Sequence, residues 1–301
     1  MVIKNLALKG GGVKGIAYVG ALRELELVGL LSGIERVAGT SVGSLLAGMI
    51  CAEYTVDEIE NLLKVHFDLK KFKSGWNPLR IFKKYGIYSG DYILDFIHNY
   101  LSQSPKNLPS NVTFRQMEEA GCKGLFVFAC NLNQHTIQEF SSFKTPDVVV
   151  AEAIRASMSI PLFFKAWQFT GSNPNDHVYV DGGIAFNYPL GFFDNERFAP
   201  APFYMCQEAI GLYLHDKKSD KMGDFGYSQP LTYLKKLFET LLNVQNIDIG
   251  FETAEGSRSI RIDGLGISAT NFNLSIPEME LLIQSGITCT KEFLSKNDSK
   301  S

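Results

Sequence analysis

Residues 3–52 read IKNLALKGGGVKGIAYVGALRELELVGLLSGIERVAGTSVGSLLAGMICA, and the alternation of element types along them decides the fold. Ile3 to Leu8 is an apolar run of strand length, stopped by Gly10 to Gly12. From Lys14 to Leu27, the residues Ile16, Val19, Leu22, Leu25 and Leu27 fall near helical spacing. Ile34 to Ala38 reads as a second short strand, and Val42 to Ala52 as a second helix of small and apolar residues. Strand, helix, strand, helix in this rhythm implies parallel strands joined by right-handed crossovers. The expected class is α/β, a three-layer α/β/α arrangement with a central, mostly parallel sheet.

Outward from this core the signals are local. Thr55 with Glu58 forms a capping-box pattern, and Ser89 or Asp91 caps a helix to about Leu101. Pro105 and Pro109 mark Ser104 to Asn111 as a loop, and Thr113 with Gln116 opens a short helix ending at Gly121. Leu125 to Asn131 is a strand with Thr136 to Phe140 as its hairpin partner. Pro146, at a first helical position, opens a helix through Ala156. Further strands are expected at Val178 to Val180, Ala209 to Leu214 and Ser259 to Ile262, and helices at Leu231 to Val244 and Pro277 to Phe293. With no repeat and no low-complexity linker, residues 1–295 are read as one domain and 296–301 as a frayed tail.

Composition excludes several classes. Of 301 residues, 45% are hydrophobic and 20% charged, ordinary for a folded globular chain. The net charge of -3 argues against a nucleic-acid partner. The five cysteines form no C-x-x-C pair, so buried reduced thiols are expected. The start is not a signal peptide, because Lys9 and the glycines break its apolar run. No stretch has the roughly 18 to 20 uncharged apolar residues of a membrane span. A cytoplasmic location is the expectation, with peripheral membrane attachment or export without an N-terminal signal as the alternatives.

GGGVKG satisfies G-x-G-x-x-G through Gly10, Gly12 and Gly15, at a strand end and a helix start. A dinucleotide site would need an acid closing the second strand. Here Glu35 begins that strand and Gly39-Thr40-Ser41 ends it, so an acid would point away from a ribose. The other use of such a loop is to turn backbone N–H groups toward an anion, either a phosphate or an ester oxyanion. A plain tight turn remains a third use.

Gly39-Thr40-Ser41-Val42-Gly43 matches G-x-S-x-G between a strand and a helix, the setting of a nucleophile elbow. Ser41 is either an exposed nucleophile or an ordinary helix cap. Its loop and the Gly10–Gly15 loop end neighbouring strands, where α/β sheets bind ligands. A serine nucleophile needs a base. None of His66, His98, His135, His177 and His215 stands at a strand end followed by glycine, whereas Asp181 does, in VYVDGG. Asp181 is either that base or part of an Asp-Gly turn. Burial would raise its pKa and suit it to the task.

GGGVKG (10–15), GTSVG (39–43) and DGG (181–183), in this order, resemble the patatin-like phospholipases. RASMSIPLFF (155–164) and ATNFNLSIPEMELLIQSG (269–286) extend the resemblance over nearly the whole chain, and Val42, where many members have Ala, departs from it. The resemblance implies a patatin-like fold and a serine–aspartate dyad without histidine, metal or cofactor. Carried over, Ser41 is the nucleophile and Asp181 the proton acceptor. Backbone N–H groups around Gly11, Gly12 and Val13 form the oxyanion hole, Lys14 matches a basic position, and Gly10, Gly15, Gly39, Gly43, Gly182 and Gly183 complete the motifs. The implied substrates are glycerophospholipids or lysophospholipids, and the implied partner is a phospholipid membrane surface, met peripherally. No protein activator is identified. An acyltransferase using the same site, or a non-catalytic lipid binder, are the competing functions.

LKKFKSGWNPLRIFKKYGIYSG, residues 69–90, contains no acid. Lys70, Lys71, Lys73, Arg80, Lys83 and Lys84 interleave with Phe72, Trp76, Phe82, Tyr85 and Tyr88. Two readings stand: an interfacial lid meeting anionic lipid, or a loop whose aromatics pack inward while its lysines stay solvated.

Overall fold

The computed structural model describes residues 2–169, 177–199, 205–215 and 253–298, with positions 233, 236, 237, 240 and 241. Its strands are β1 (Asn5–Leu8), β2 (Arg36–Thr40), β3 (Gly86–Tyr88), β4 (Gly124–Asn131), β5 (Thr136–Phe140), β6 (Leu162–Phe164), β7 (Tyr179–Asp181), β8 (Ala209–His215) and β9 (Ser259–Asp263). The helices are α1 (Ala17–Leu27), α2 (Val42–Cys51), α3 (Val56–Asn61), α4 (Ile81–Lys84), α5 (Asp91–Ser102), α6 (Phe114–Glu119), α7 (Val150–Ser157) and α8 (Ile276–Asp298).

The main sheet runs β5-β4-β2-β1-β8-β9, and β3 and β6 form a separate pair. Strands β4, β2, β1, β8 and β9 are mutually parallel, while β5 is antiparallel to β4. The chain therefore has the α/β class with a central, mostly parallel sheet. Strand alternation divides the core. Leu6, Leu8, Val37 and Val127 face a large apolar cluster shared with the helices. Ala7, Ala38, Phe126 and Phe128 face a smaller one, closed by Leu190, Phe193 and flanking aromatics. Most of the helix expected at Leu231 to Val244 lies outside the described residues. No helix among the described residues is long and apolar enough to cross a membrane.

Helices α1 and α8 cross at two glycines. A methyl at Gly20 would sit 2.0 Å from the Ile283 carbonyl oxygen, and one at Gly286 would sit 2.1 Å from that of Ala17. Only hydrogen at both positions lets the two backbones touch.

The capping boxes at Thr55–Glu58 and Thr113–Gln116 are both formed, as local chemistry dictates. Five expectations move. Residues 12–16 open α1 as a 3-10 turn, and β2 runs on to Thr40, directly onto Ser41. Helix α7 begins at Val150 rather than Pro146, because a bridge between Thr113 and Val149 and a bond from Arg115 N–H to the Pro146 oxygen (2.9 Å) hold that stretch as a turn. Gly90, in a left-handed conformation, takes the N-cap place of α5 instead of Ser89 or Asp91. With no breaker in its last turn, α8 runs to Asp298, into the tail expected to fray.

Candidate active site

Strand β4 serves as the ruler of the site. Strand β5 lies along one edge of β4. Along the other edge, β2 pairs as far as Thr40 opposite Phe128. There β7 takes over, with Asp181 opposite Ala129. Since β7 is antiparallel to β4, it meets β2 end to end, and the two C-terminal ends converge. Asp181 thus reaches Ser41 from the opposite direction, not from the shared edge of a parallel array as its sequence context suggested.

Ser41 has φ 53 and ψ -128, a strained conformation for any residue but glycine. Its neighbours hold it there. The Ser41 N–H donates to Ser157 Oγ (2.9 Å), whose own hydroxyl donates to the Phe128 oxygen (2.6 Å). Ser44 donates to the Ser41 carbonyl oxygen from its N–H (2.9 Å) and its hydroxyl (2.6 Å). The elbow glycines leave no room for a side chain. A methyl at Gly39 would lie 2.3 Å from the Gly43 oxygen, and one at Gly43 would lie 2.2 Å from the Leu8 oxygen. The Ser41 side chain makes no cap bond. Instead its hydroxyl donates to Asp181 Oδ2 at 2.7 Å, across 140 residues of sequence.

Asp181 is fully buried. Burial pushes its carboxyl up to about 7, while hydrogen bonds from Ser41 and the Gly183 N–H, and the charge of Arg155, pull the other way. The Gly183 bond is 2.7 Å, to Oδ1, and Gly182 lies tight against the Phe128 carbonyl. A buried carboxylate tuned near neutrality can take a proton from a serine, because its ionised and protonated forms are close in energy there.

The end of α7 brackets both side chains, which sequence reasoning missed. Ser157 holds the Ser41 N–H, and the Ser159 carbonyl accepts the Asp181 N–H at 2.9 Å. Arg155, wholly buried, donates to Ser159 Oγ (2.7 Å), the Gly90 oxygen (2.9 Å) and the Ser89 oxygen (3.0 Å). Burial lowers its pKa to about 10, so it stays charged at neutral pH and favours an ionised Asp181. The sequence signals this bracket only through RASMSIPLFF (155–164), a stretch of family resemblance that assigns no roles.

In the glycine loop, Gly12 has φ +57, and a methyl there would sit 2.0 Å from the Ala269 oxygen. Gly10 abuts Ser41, and Gly15 abuts Val42, so the larger Val42 packs where only a hydrogen faces it. Lys14 is buried in the 3-10 turn. The Val13 N–H donates to the Ala269 oxygen at 3.0 Å and is therefore committed. The N–H groups of Gly11 and Gly12 take no partner among the described residues.

Ser41 opens onto a small apolar pocket lined by Gly12, Val13, Val42, Phe67, Leu69, Phe72, Met158, Ile160, Phe164 and Phe272. Apart from Ser41 the lining side chains are aliphatic, aromatic or thioether, a surface suited to an aliphatic chain. Among the described residues no three His, Cys, Asp or Glu side chains converge where a metal ion would sit. The histidines lie elsewhere: His177 is 3.0 Å from Asn131 Nδ2, His135 sits in the β4–β5 turn, and His215 ends β8.

Comparison with known proteins bears on the family and the fold. The family model for patatin-like phospholipase matches residues 6–194. An uncharacterized protein of Acanthamoeba polyphaga mimivirus is 30% identical over 98% of this chain and 94% of its own length. A probable lipid hydrolase of Invertebrate iridescent virus 6 is 27% identical over 74% of this chain and 68% of its own. Among solved structures, VipD from Legionella pneumophila superposes over 98% of this chain and 67% of its own, with TM-score 0.59 and 15% identity, a likeness of fold.

Proposed function

The chain belongs to the patatin-like phospholipase family, and from that premise we propose that it hydrolyses fatty-acyl esters of glycerophospholipids or lysophospholipids, with Ser41 as nucleophile and Asp181 as base. Asp181 takes the proton of the Ser41 hydroxyl as Oγ attacks the ester carbonyl carbon. The carbonyl oxygen becomes an oxyanion, received by the N–H groups of Gly11 and Gly12. The intermediate collapses, the C–O bond to the glycerol oxygen breaks, and Asp181 returns its proton to that leaving oxygen. Asp181 then deprotonates a water that attacks the acyl-serine, releasing fatty acid and restoring Ser41.

The observation that carries this reading is the 2.7 Å bond from Ser41 Oγ to the buried Asp181 carboxylate. The cavity beside it supports an acyl chain as the group transferred. Fatty-acid release from mixed phospholipids by the wild type, Ser41→Ala and Asp181→Asn is the test. Both variants are expected to lose on the order of 10⁴-fold or more in turnover, as when a nucleophile or its base is removed elsewhere. Equal release by all three proteins refutes the dyad, and an acyl-lipid product in place of free acid points to transfer to another alcohol.

A further inference from the structure

The segment from Leu69 to Gly90 divides its aromatic side chains between two environments. Phe72 is 4% exposed and, with Leu69, walls the Ser41 cavity. Trp76, Leu79, Phe82 and Tyr85 are 62, 72, 81 and 54% exposed. Four large apolar side chains within ten residues thus stand in water. Lys70, Lys71, Lys73, Lys83 and Lys84 are exposed beside them in sequence. Lys70, Lys73, Lys83 and Lys84 make no ion pair among the described residues.

This stretch is folded rather than loose. The Ile87 oxygen accepts the Asn77 N–H and Arg80 Nη1, each at 3.0 Å. The Leu79 N–H is held by Asn77 Oδ1 at 3.0 Å, and β3 is paired to β6. The apolar side chains are therefore presented on a fixed frame. Aromatics that reach outward, cations around them and no acid between Leu69 and Gly90 are complementary to an anionic lipid surface, whose boundary takes aromatic rings while its headgroups draw lysine. The same segment is continuous with the cavity wall at Leu69 and Phe72.

We propose that the Trp76–Tyr85 face docks the enzyme on an anionic bilayer, bringing the Ser41 cavity to the headgroup boundary. The proposal rests on the lipid-hydrolase reading for its purpose, while its observations stand apart from the dyad. Binding is therefore measured on the full chain carrying Ser41→Ala, which leaves the vesicles intact. The probes are vesicles of phosphatidylcholine alone and of phosphatidylcholine with phosphatidylserine, followed by flotation and by tryptophan emission. The chain has two tryptophans, and Trp167 is buried, so an emission shift reports Trp76.

The expected result is binding to the anionic vesicles with a blue shift, weakened by salt. At roughly fivefold per charge near such a surface, Lys83→Glu with Lys84→Glu lowers affinity by on the order of 10²-fold or more. Trp76→Ala with Phe82→Ala lowers it by about tenfold for each side chain withdrawn from the boundary. In the Ser41 background, all of these variants keep wild-type hydrolysis of a short-chain, water-soluble ester. Wild-type affinity in both double variants, or no binding to anionic vesicles by the parent chain, overturns the proposal. So does self-association of the parent chain that the Trp76→Ala, Phe82→Ala variant abolishes, since the face then belongs to a second copy. Absent ester hydrolysis with intact vesicle binding instead removes the hydrolase reading and leaves the docking face standing.

Discussion

The floor of the Ser41 cavity and the segment that walls it differ in how fully their parts are claimed. On the floor, Ser41 and Asp181 are buried, both of their N–H groups are bonded, and backbone fills the space where a side chain on either elbow glycine would go. In the wall, Leu69, Phe72 and Ile87 are anchored while Trp76, Leu79 and Phe82 stand exposed. Attack on an ester tolerates little misplacement of its groups, and the surplus of bonds around a strained serine is what the proposed attack would require. Receiving a lipid needs apolar surface left unspent. On the proposed function, one region would work through closure and the other through exposure.

Three changes test that contrast, in falling order of effect. Gly12→Ala strikes the floor at φ +57, with its methyl 2.0 Å from the Ala269 oxygen. It should displace an oxyanion donor and cost roughly 10²- to 10³-fold in turnover. Turnover of a soluble ester against that of the wild type measures it, and a loss below tenfold means that the loop does not hold the oxyanion.

The second change is pH. Asp181 must be ionised to act as base, and its carboxyl is pushed up to about 7. Activity should therefore rise about tenfold per pH unit from pH 5 and level off above neutrality. Stability runs the other way. Unfolded, the carboxyl returns to the ordinary range near 4, so between that value and about 7 the folded state holds the extra proton and loses stability as pH rises. Thermal unfolding should show Asp181→Asn gaining on the wild type across that window, by up to about 4 kcal/mol above it. A pH-independent rate, or an equal difference at pH 4 and pH 8, contradicts the tuned carboxylate.

Phe82→Ala strikes the wall and should be the mildest. An 81% exposed ring supports little, so unfolding should shift by less than about 0.5 kcal/mol. A larger destabilisation would mean that the ring belongs to the core, erasing the distinction between wall and floor.

What could be read from the chain follows the same division. The elbow, the glycine loop and the two capping boxes are written in neighbouring residues, because close backbone approach and caps demand particular side chains at fixed offsets. The local helix signal at Pro146 is overridden by the contact of Val149 with Thr113, far along the chain, and α7 starts at Val150. The two glycines after Asp181 mark it in the sequence as a candidate, but the antiparallel run of β7 that brings it to Ser41 has no local signature. Arg155, Ser157 and Ser159 work by holding backbone groups of distant residues, and nothing in their own neighbourhood states that. The glycine-loop motif implies Val13 as an oxyanion donor, but Ala269, 256 positions away, occupies its N–H. In residues 69–90, composition alone does not separate inward-packing from outward-facing aromatics, and the fold buries Phe72 and exposes Phe82.

The shared ruler, β4, has a consequence for how activity appears in time. Phe128 and Ala129, adjacent on one strand, are what bring residues 140 apart within 2.7 Å. The dyad is thus among the highest contact-order features of the molecule, whereas α1, α2 and the elbow turn can form from nearby sequence. A refolding chain can own its helices and its β1–β2 pair and remain inert until β7 docks. Recovery of enzymatic rate should trail recovery of helical signal, which makes turnover a clock for the last strand rather than for the fold as a whole.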